Sequence, residues 1–354
     1  MTDLCNTIAK AKTISDAAED VSINTEALSS FAASIDWKSV EAPSSDHGGD
    51  DDATVRENLA AVLLAWNAIN FSYFPDPGAA RWAWQHPETS EIHGGDDEAN
   101  GVFAALTHLQ SQAHRPLASG AFLAGLTAGD LRDRVFAAAP GAGPLPLLEL
   151  RARCLNELGA MLANANTTPL AFVEGCNASA ITFVAKLTAA CPLYADVQTW
   201  TPKSSSDGGG DGDGGGGGAI TIAFHKRAQL CASMLQNFGV ARFADIGSLT
   251  VFADYRIPQL FRSTGVFVLS DRLAGAIGRG EPVASGSREE VELRAATVYT
   301  GELLRSLLER RMKEEVEDAR CHANVLDYFL WSEAVKRDVE GGLPPFHRTR
   351  TSAY

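Results

Sequence analysis

Apolar residues recur at three- and four-residue spacing along most of this chain, the period of helices with one buried face. Val55, Leu59, Val62, Leu63 and Trp66 fall on one such face, and their helix leads into the aromatic run NFSYFPDP, where Pro-Asp-Pro stops it. Residues 1–54 predict one helix followed by the polar run SSDHGGDDD (44–52), an exposed linker, so the chain divides into this segment and a single domain over 55–354. Between 100 and 200 Ala and Leu repeat with helical period, interrupted by the loop AAPGAGPLP (138–146). The tract SSSDGGGDGDGGGGG (204–218) has nothing apolar to bury against the entropy of ordering and reads as a disordered insertion. It lacks the GK[ST] ending of a phosphate loop. Alternation in AITIAF (219–224) predicts a short strand. Ser287 and Glu290 have the spacing of a capping box, opening a helix with Ala296, Tyr299, Leu303, Leu304, Leu307 and Leu308 on one face. A last long helix carries Asp327, Tyr328 and Trp331 at neighbouring surface positions. The fold class is mainly α with a few short strands.

Composition narrows the function. The chain has 354 residues, 45% of them hydrophobic, enough for one large core or two ordinary ones. It carries 30 basic against 44 acidic side chains, a net charge of −14, whereas a protein that grips a phosphate backbone presents a basic face. Direct nucleic-acid binding is not expected. The small basic clusters Lys226–Arg227 and His347–Arg350 suit one phosphate at most. Six cysteines lie far apart without a CxxC pair, and eight histidines make no HExxH, so the expectation is reduced thiols, no metal and no cofactor. No stretch is long enough to span a bilayer and the first residues lack an apolar leader, which makes the cytoplasm the default location and excludes a membrane partner.

The run VFADYRIPQ (251–259) places one acid, Asp254, inside an apolar stretch. A carboxylate there must be compensated by hydrogen bonds or cations, and carboxylates held in that way serve as acids, bases and charge stabilisers. Pro258 has no N–H for the Asp254 carbonyl, which puts Asp254 at a helix break or in a first helical turn. Capping of that helix is the plain alternative.

FHKRAQL (224–230), LTVFADYRIPQ (249–259), GSREEVELRAAT (286–297), VLDYFLW (325–331) and PFHRTR (345–350), with weaker similarity through WNAINFSYF (66–74), resemble the queuosine salvage proteins, a family of queuosine 5′-phosphate N-glycosylases. Five motifs in family order cover the chain from about residue 55 onward. The resemblance implies a helical fold like that of the helix-hairpin-helix DNA glycosylases. It also implies hydrolysis of the N-glycosidic bond of queuosine 5′-monophosphate, with release of queuine for reuse in tRNA modification.

Breaking that bond develops positive charge at the ribose C1′ and ring oxygen, and by resemblance Asp254 is the nucleophile or the charge stabiliser beneath it. A 7-deazapurine has no N7 to protonate, so the sugar side carries more of the burden. Lys226 is either the cation that keeps Asp254 ionised or a contact for the 5′-phosphate. Phe252 and the Ala253 backbone line the pocket, and Tyr255 either stacks on the base or packs. Asp327, beside Tyr328 and Trp331, is the counter-charge or hydrogen-bond acceptor for a base whose side arm bears an amine. His347 and Arg348 are expected to return to the site as phosphate contacts. Many family members carry a second acid directly after the Trp of DYxLW, where this chain has Ser332 and then Glu333. A phosphate-dependent nucleoside phosphorylase-like transferase and a non-catalytic queuine-binding protein are the competing readings.

Overall fold

A computed structural model describes residues 4–40, 52–95, 97–203 and 218–354. Among them the helices are α1 (Leu4–Ala17), α2 (Thr25–Ser34), α3 (Ala53–Ala68), α4 (Glu98–Ser111), α5 (Gly120–Gly125), α6 (Ala128–Asp130), α7 (Leu148–Asn164), α8 (Pro169–Glu174), α9 (Ala180–Ala190), α10 (Lys226–Asn237), α11 (Arg256–Ser263), α12 (Asp271–Gly278), α13 (Arg288–Glu315) and α14 (Ala323–Val339). Three antiparallel strand pairs accompany them: β1 (Val21–Ile23) with β6 (Phe267–Leu269), β2 (Ala83–Gln85) with β3 (Ile92–Gly94), and β4 (Val197–Trp200) with β5 (Ile220–Ala223). The mainly helical class read from periodicity is what the chain adopts.

Most of the named elements form where the pattern placed them. The 55–66 face is α3, capped by the Asp52 carboxylate, which accepts the Thr54 N–H at 2.7 Å. It ends at Ala68, before the Pro-Asp-Pro, as the chain turns to run along the cleft described below. AITIAF contains β5, and the register sets Trp200 opposite Ile220, the strand residues that flank the Gly/Asp tract. Residues 204–217 of that tract, and 44–51 of the polar run, lie outside the described residues. Ser287 caps α13 by accepting the Glu290 N–H, but the Glu290 carboxylate takes the N–H of Gly286, so only half of the capping box forms.

Residues 4–39 hold two helices where one was expected. α1 lies along α13, and β1 pairs with β6, joining this segment to the body of the molecule. The Asp20 carboxylate completes the junction with Arg288 and Arg272, both at 2.9 Å.

Three clusters of buried residues make up the interior. One is built on α3, α4, α7, α9 and α10; a second on α2, α11, α13 and α14; a small third where α1 meets β5 and α13. The VFADYRIP segment runs between them: Phe252 belongs to the first, Ala253 to the third and Ile257 to the second. Gly301 of α13 permits this path, since a Cβ there would lie 2.3 Å from a Val251 methyl.

Candidate active site

A cleft of about 730 Å³ opens between the first and second clusters. Its lining includes Phe71 to Tyr73 after α3, the first turn of α4, Lys226 and Ser233 of α10, Phe252, Asp254 and Tyr255, then Asn324, Asp327, Tyr328 and Trp331 of α14, and Tyr354. That volume falls in the range of roughly 300–1,000 Å³ usual for small-molecule sites.

Asp254 stands two residues before the start of α11. Its Oδ1 accepts the N–H groups of Arg256 (2.8 Å) and Ile257 (3.2 Å), and Pro258 sits in the first turn, where its missing N–H breaks no helical bond. Asp254 is thus a helix cap and a cleft residue at once. The two N–H donors and the positive end of α11 set partial positive charge against one oxygen.

Lys226 opens α10. Its side chain is buried and lines the cleft, and among the described residues its Nζ makes no ion pair within 4 Å. Burial lowers its pKa from the usual lysine value, opposed by the nearby Asp254 and Asp327 carboxylates. Asp327, 7% exposed, accepts the Phe252 N–H at 2.6 Å. Burial holds it well above the usual carboxylate range, the Asp254 charge adding to the effect against the pull of the Phe252 N–H and Lys226. The structure therefore gathers two carboxyl groups and one ammonium, two of the three nearly excluded from water.

Aromatic surfaces flank them. Tyr328 and Trp331 stack with centroids 6.3 Å apart and planes 25° from parallel, and the half-exposed Tyr328 reaches the rim. Asn324 donates from Nδ2 to Ser233 at 3.3 Å, leaving its buried Oδ1 without a partner in the cleft wall. Its position in the wall makes that oxygen available to a donor in the cleft.

Three of the expected site residues lie outside the cleft lining. Ala253 does not line the cleft; its carbonyl is turned inward to Arg294 Nε at 3.2 Å. His347 and Arg348 are absent from the lining as well. His347 is buried against the Tyr354 hydroxyl at 3.2 Å, and burial pushes its pKa down to about 3, so it is a neutral imidazole unsuited to an anion. Arg348 lies over the Phe74 ring and donates to the Pro75 carbonyl. Arg227 is likewise unavailable to a phosphate: it is buried, donates to the carbonyls of Ala68 and Leu193, and stacks on Tyr194 at 4.6 Å. Glu333 pairs with Arg337 at 2.8 Å, and neither it nor Ser332 lines the cleft.

Sequence reasoning missed the residues that hold these walls. Arg151 donates to the carbonyls of Pro146 (2.8 Å), Ile69 and Phe71 (2.7 Å), fixing the aromatic segment after α3. Asp196 and Arg294 support the opposite wall. Arg294 carried a weaker signal, its position four residues after Glu290, the spacing of an ion pair along one helix face. Asn324 and Ser233 carried no such signal. Among the described residues no group of three or more His, Cys, Asp or Glu is arranged to hold a metal, and no helix is long and apolar enough to cross a membrane.

Comparison with known proteins gives one consistent result. Residues 51–354 match the family described as queuosine salvage protein. The chain is 31% identical over 304 residues to a Sphaerobacter thermophilus protein, covering 84% of this chain and 82% of the relative. It is 30% identical over 328 residues to one from Mus musculus, covering 90% and 86%. With one from Nematostella vectensis it shares 24% over 360 residues, 96% of each. All three relatives bear the name queuosine 5′-phosphate N-glycosylase/hydrolase.

Proposed function

The chain belongs to the queuosine salvage protein family, and from that membership together with the cleft we infer that it is a queuosine 5′-phosphate N-glycosylase/hydrolase. It converts queuosine 5′-monophosphate and water to queuine and ribose 5-phosphate, returning the base for tRNA modification. The observation that carries the chemical reading is Asp254 in the cleft wall, with one oxygen fixed by two N–H donors and with Lys226 and Asp327 as electrostatic neighbours.

As the bond from C1′ to the base lengthens, positive charge grows on C1′ and the ring oxygen. Asp254 meets that charge, as nucleophile or as ion-pair partner, and its fixed geometry means little reorganisation is needed at the moment of reaction. Lys226 offsets the concentration of negative charge around Asp254 and, with Arg81 and Arg256 of the same lining, is a cation that can meet the substrate's own anionic groups. Asp327 takes a different role from a fixed counter-charge. Held toward its neutral form, it donates its proton in a hydrogen bond to an acceptor on the base, drawing electron density toward a leaving group that has no N7 to protonate. Asn324 Oδ1 accepts an N–H from the base, while Phe252 and the Tyr328–Trp331 pair contact its faces.

Several coarser properties complete the proposal. The helical architecture is taken to be of the kind found in helix-hairpin-helix DNA glycosylases. The net charge of −14 supports a free nucleotide as substrate, with no direct nucleic-acid binding, and a cytoplasmic location follows from a substrate arising in nucleotide turnover. The test is to incubate the purified protein with queuosine 5′-monophosphate in phosphate-free buffer and identify the sugar product. Ribose 5-phosphate with queuine supports the hydrolase; a 1,5-bisphosphate formed only on adding phosphate identifies a phosphorylase; tight binding without turnover identifies a carrier.

A further inference from the structure

Arg294 is fully buried in the second turn of α13 and does not line the cleft. Its guanidinium grips both oxygens of Asp196 at 2.7 Å, and Asp196 Oδ2 also accepts the backbone N–H of Lys226 at 3.0 Å. Arg294 Nε donates to the carbonyl of Ala253, the residue before Asp254. The guanidinium is clamped between Phe224, 4.1 Å to the ring centroid, and Tyr354 at 4.6 Å. The buried Asp196–Arg294 pair, with the Glu290 carboxylate 3.6 Å from the same guanidinium, thus ties the backbone that carries Lys226 to the backbone that carries Asp254.

The setting argues for more than packing. Burying two charges is costly, and an apolar replacement of similar size is often as stable, so a buried pair is weak evidence of a purely stabilising role. Here its remaining hydrogen bonds all go to main chain adjoining the two charged cleft residues. Both Asp196 (φ 46°) and His225 (φ 50°), which precedes Lys226, adopt left-handed backbone that non-glycine residues seldom hold without restraint.

We propose that Arg294 and Asp196 are positioning residues of the hydrolytic site, a two-residue clamp that sets the separation of the Asp254 carboxylate and the Lys226 ammonium. The inference rests on the hydrolase reading above. A displacement of about 1 Å in a reacting group lowers turnover by a factor of order a hundred while leaving much of the substrate contact surface intact. The clamp therefore acts on kcat and hardly on KM.

The experiment compares Asp196→Asn and Arg294→Lys, singly and together, with Asp20→Asn as a control that weakens a buried ion pair whose partners lie outside the cleft. Asp196→Asn is the milder change, because its amide oxygen still accepts the Lys226 N–H, and it decides the matter alone if Arg294→Lys does not fold. The expected result is a fall in kcat of about tenfold or more with KM within about threefold, and a double variant no worse than the poorer single, as for residues acting as one unit. Asp20→Asn lowers Tm with kcat per folded molecule unchanged. The clamp is overturned if folded Asp196→Asn keeps kcat within about threefold of wild type, or if its loss of kcat follows loss of Tm as in the control. An inactive wild type would instead strike the hydrolase reading itself, so the two failures are distinguishable.

Discussion

Asp254 caps α11, and in the proposed reaction the same carboxylate meets the charge at C1′; a substitution separates the two. Asp254→Asn retains an oxygen for the Arg256 and Ile257 N–H groups, so the cap survives and Tm stays near wild type, whereas turnover falls by about a hundredfold or more with the loss of the charge facing C1′. Thermal unfolding and kcat measured on the same preparation check this; a variant equally inactive but unfolded would reduce Asp254 to its cap. Asp327 gives the opposite pattern. Because burial raises its pKa in the folded protein, the native state holds a proton that the unfolded chain releases near 3.8. Its stabilising contribution is therefore lost as pH rises through the folded-state value, and so is the donor proposed for the base. Asp327→Asn keeps both the Phe252 bond and a donor but has no proton to lose. It is expected to retain much of the activity, to weaken the alkaline fall in kcat, and to gain in Tm relative to wild type as pH increases; Asp327→Ala loses activity at every pH. Asp254 could be singled out from sequence because an acid in an apolar run demands an explanation. The inward turn of Ala253 was not legible, since which way a carbonyl faces depends on Arg294, 41 residues further along the chain.

At the scale of elements, periodicity located α3, α13, α14 and β5 because each buries a face wide enough to leave a pattern. The second helix of the N-terminal segment and the two other strand pairs were not legible, their strands being only three residues long. Nor could the sequence say that α13 passes so close to the Asp254 segment. Gly301→Ala tests that approach. The new methyl meets Val251 at 2.3 Å, so the segment must shift, costing about 1–3 kcal/mol by overpacking and moving Asp254 with it. Denaturant melts and kcat should fall together; an unchanged melt would mean that Val251 yields freely. The β4–β5 pair gives a milder prediction. The register sets Trp200 opposite Ile220, so replacing 204–217 with a short turn leaves both strand ends where they are, and kcat/KM should stay within about twofold, since loop length enters closure entropy only logarithmically. A large loss would give the tract a part in catalysis.

In the whole molecule, the cleft exists because two separate apolar clusters meet along it, one on the α3, α4, α10 side and one on the α11, α13, α14 side. Charges inside this seam are held by main chain or by one another: Arg151 and Arg227 brace the first wall, Arg294 and Asp196 the second. The sequence motifs picked out Asp254, Lys226 and Asp327, which the fold brings to one cleft, and also His347 and Arg348, which it does not, because proximity in a basic string says nothing about which side chains face the cleft. In the proposed reaction this seam hydrolyses a nucleotide by means of one carboxylate. The most direct measurement is mass-spectrometric detection of queuine from queuosine 5′-monophosphate, without added phosphate or metal, for wild type beside Asp254→Asn. Queuine from wild type and about a hundredfold less from the variant is the predicted result. Equal release from both, or none from a folded wild type, would contradict it.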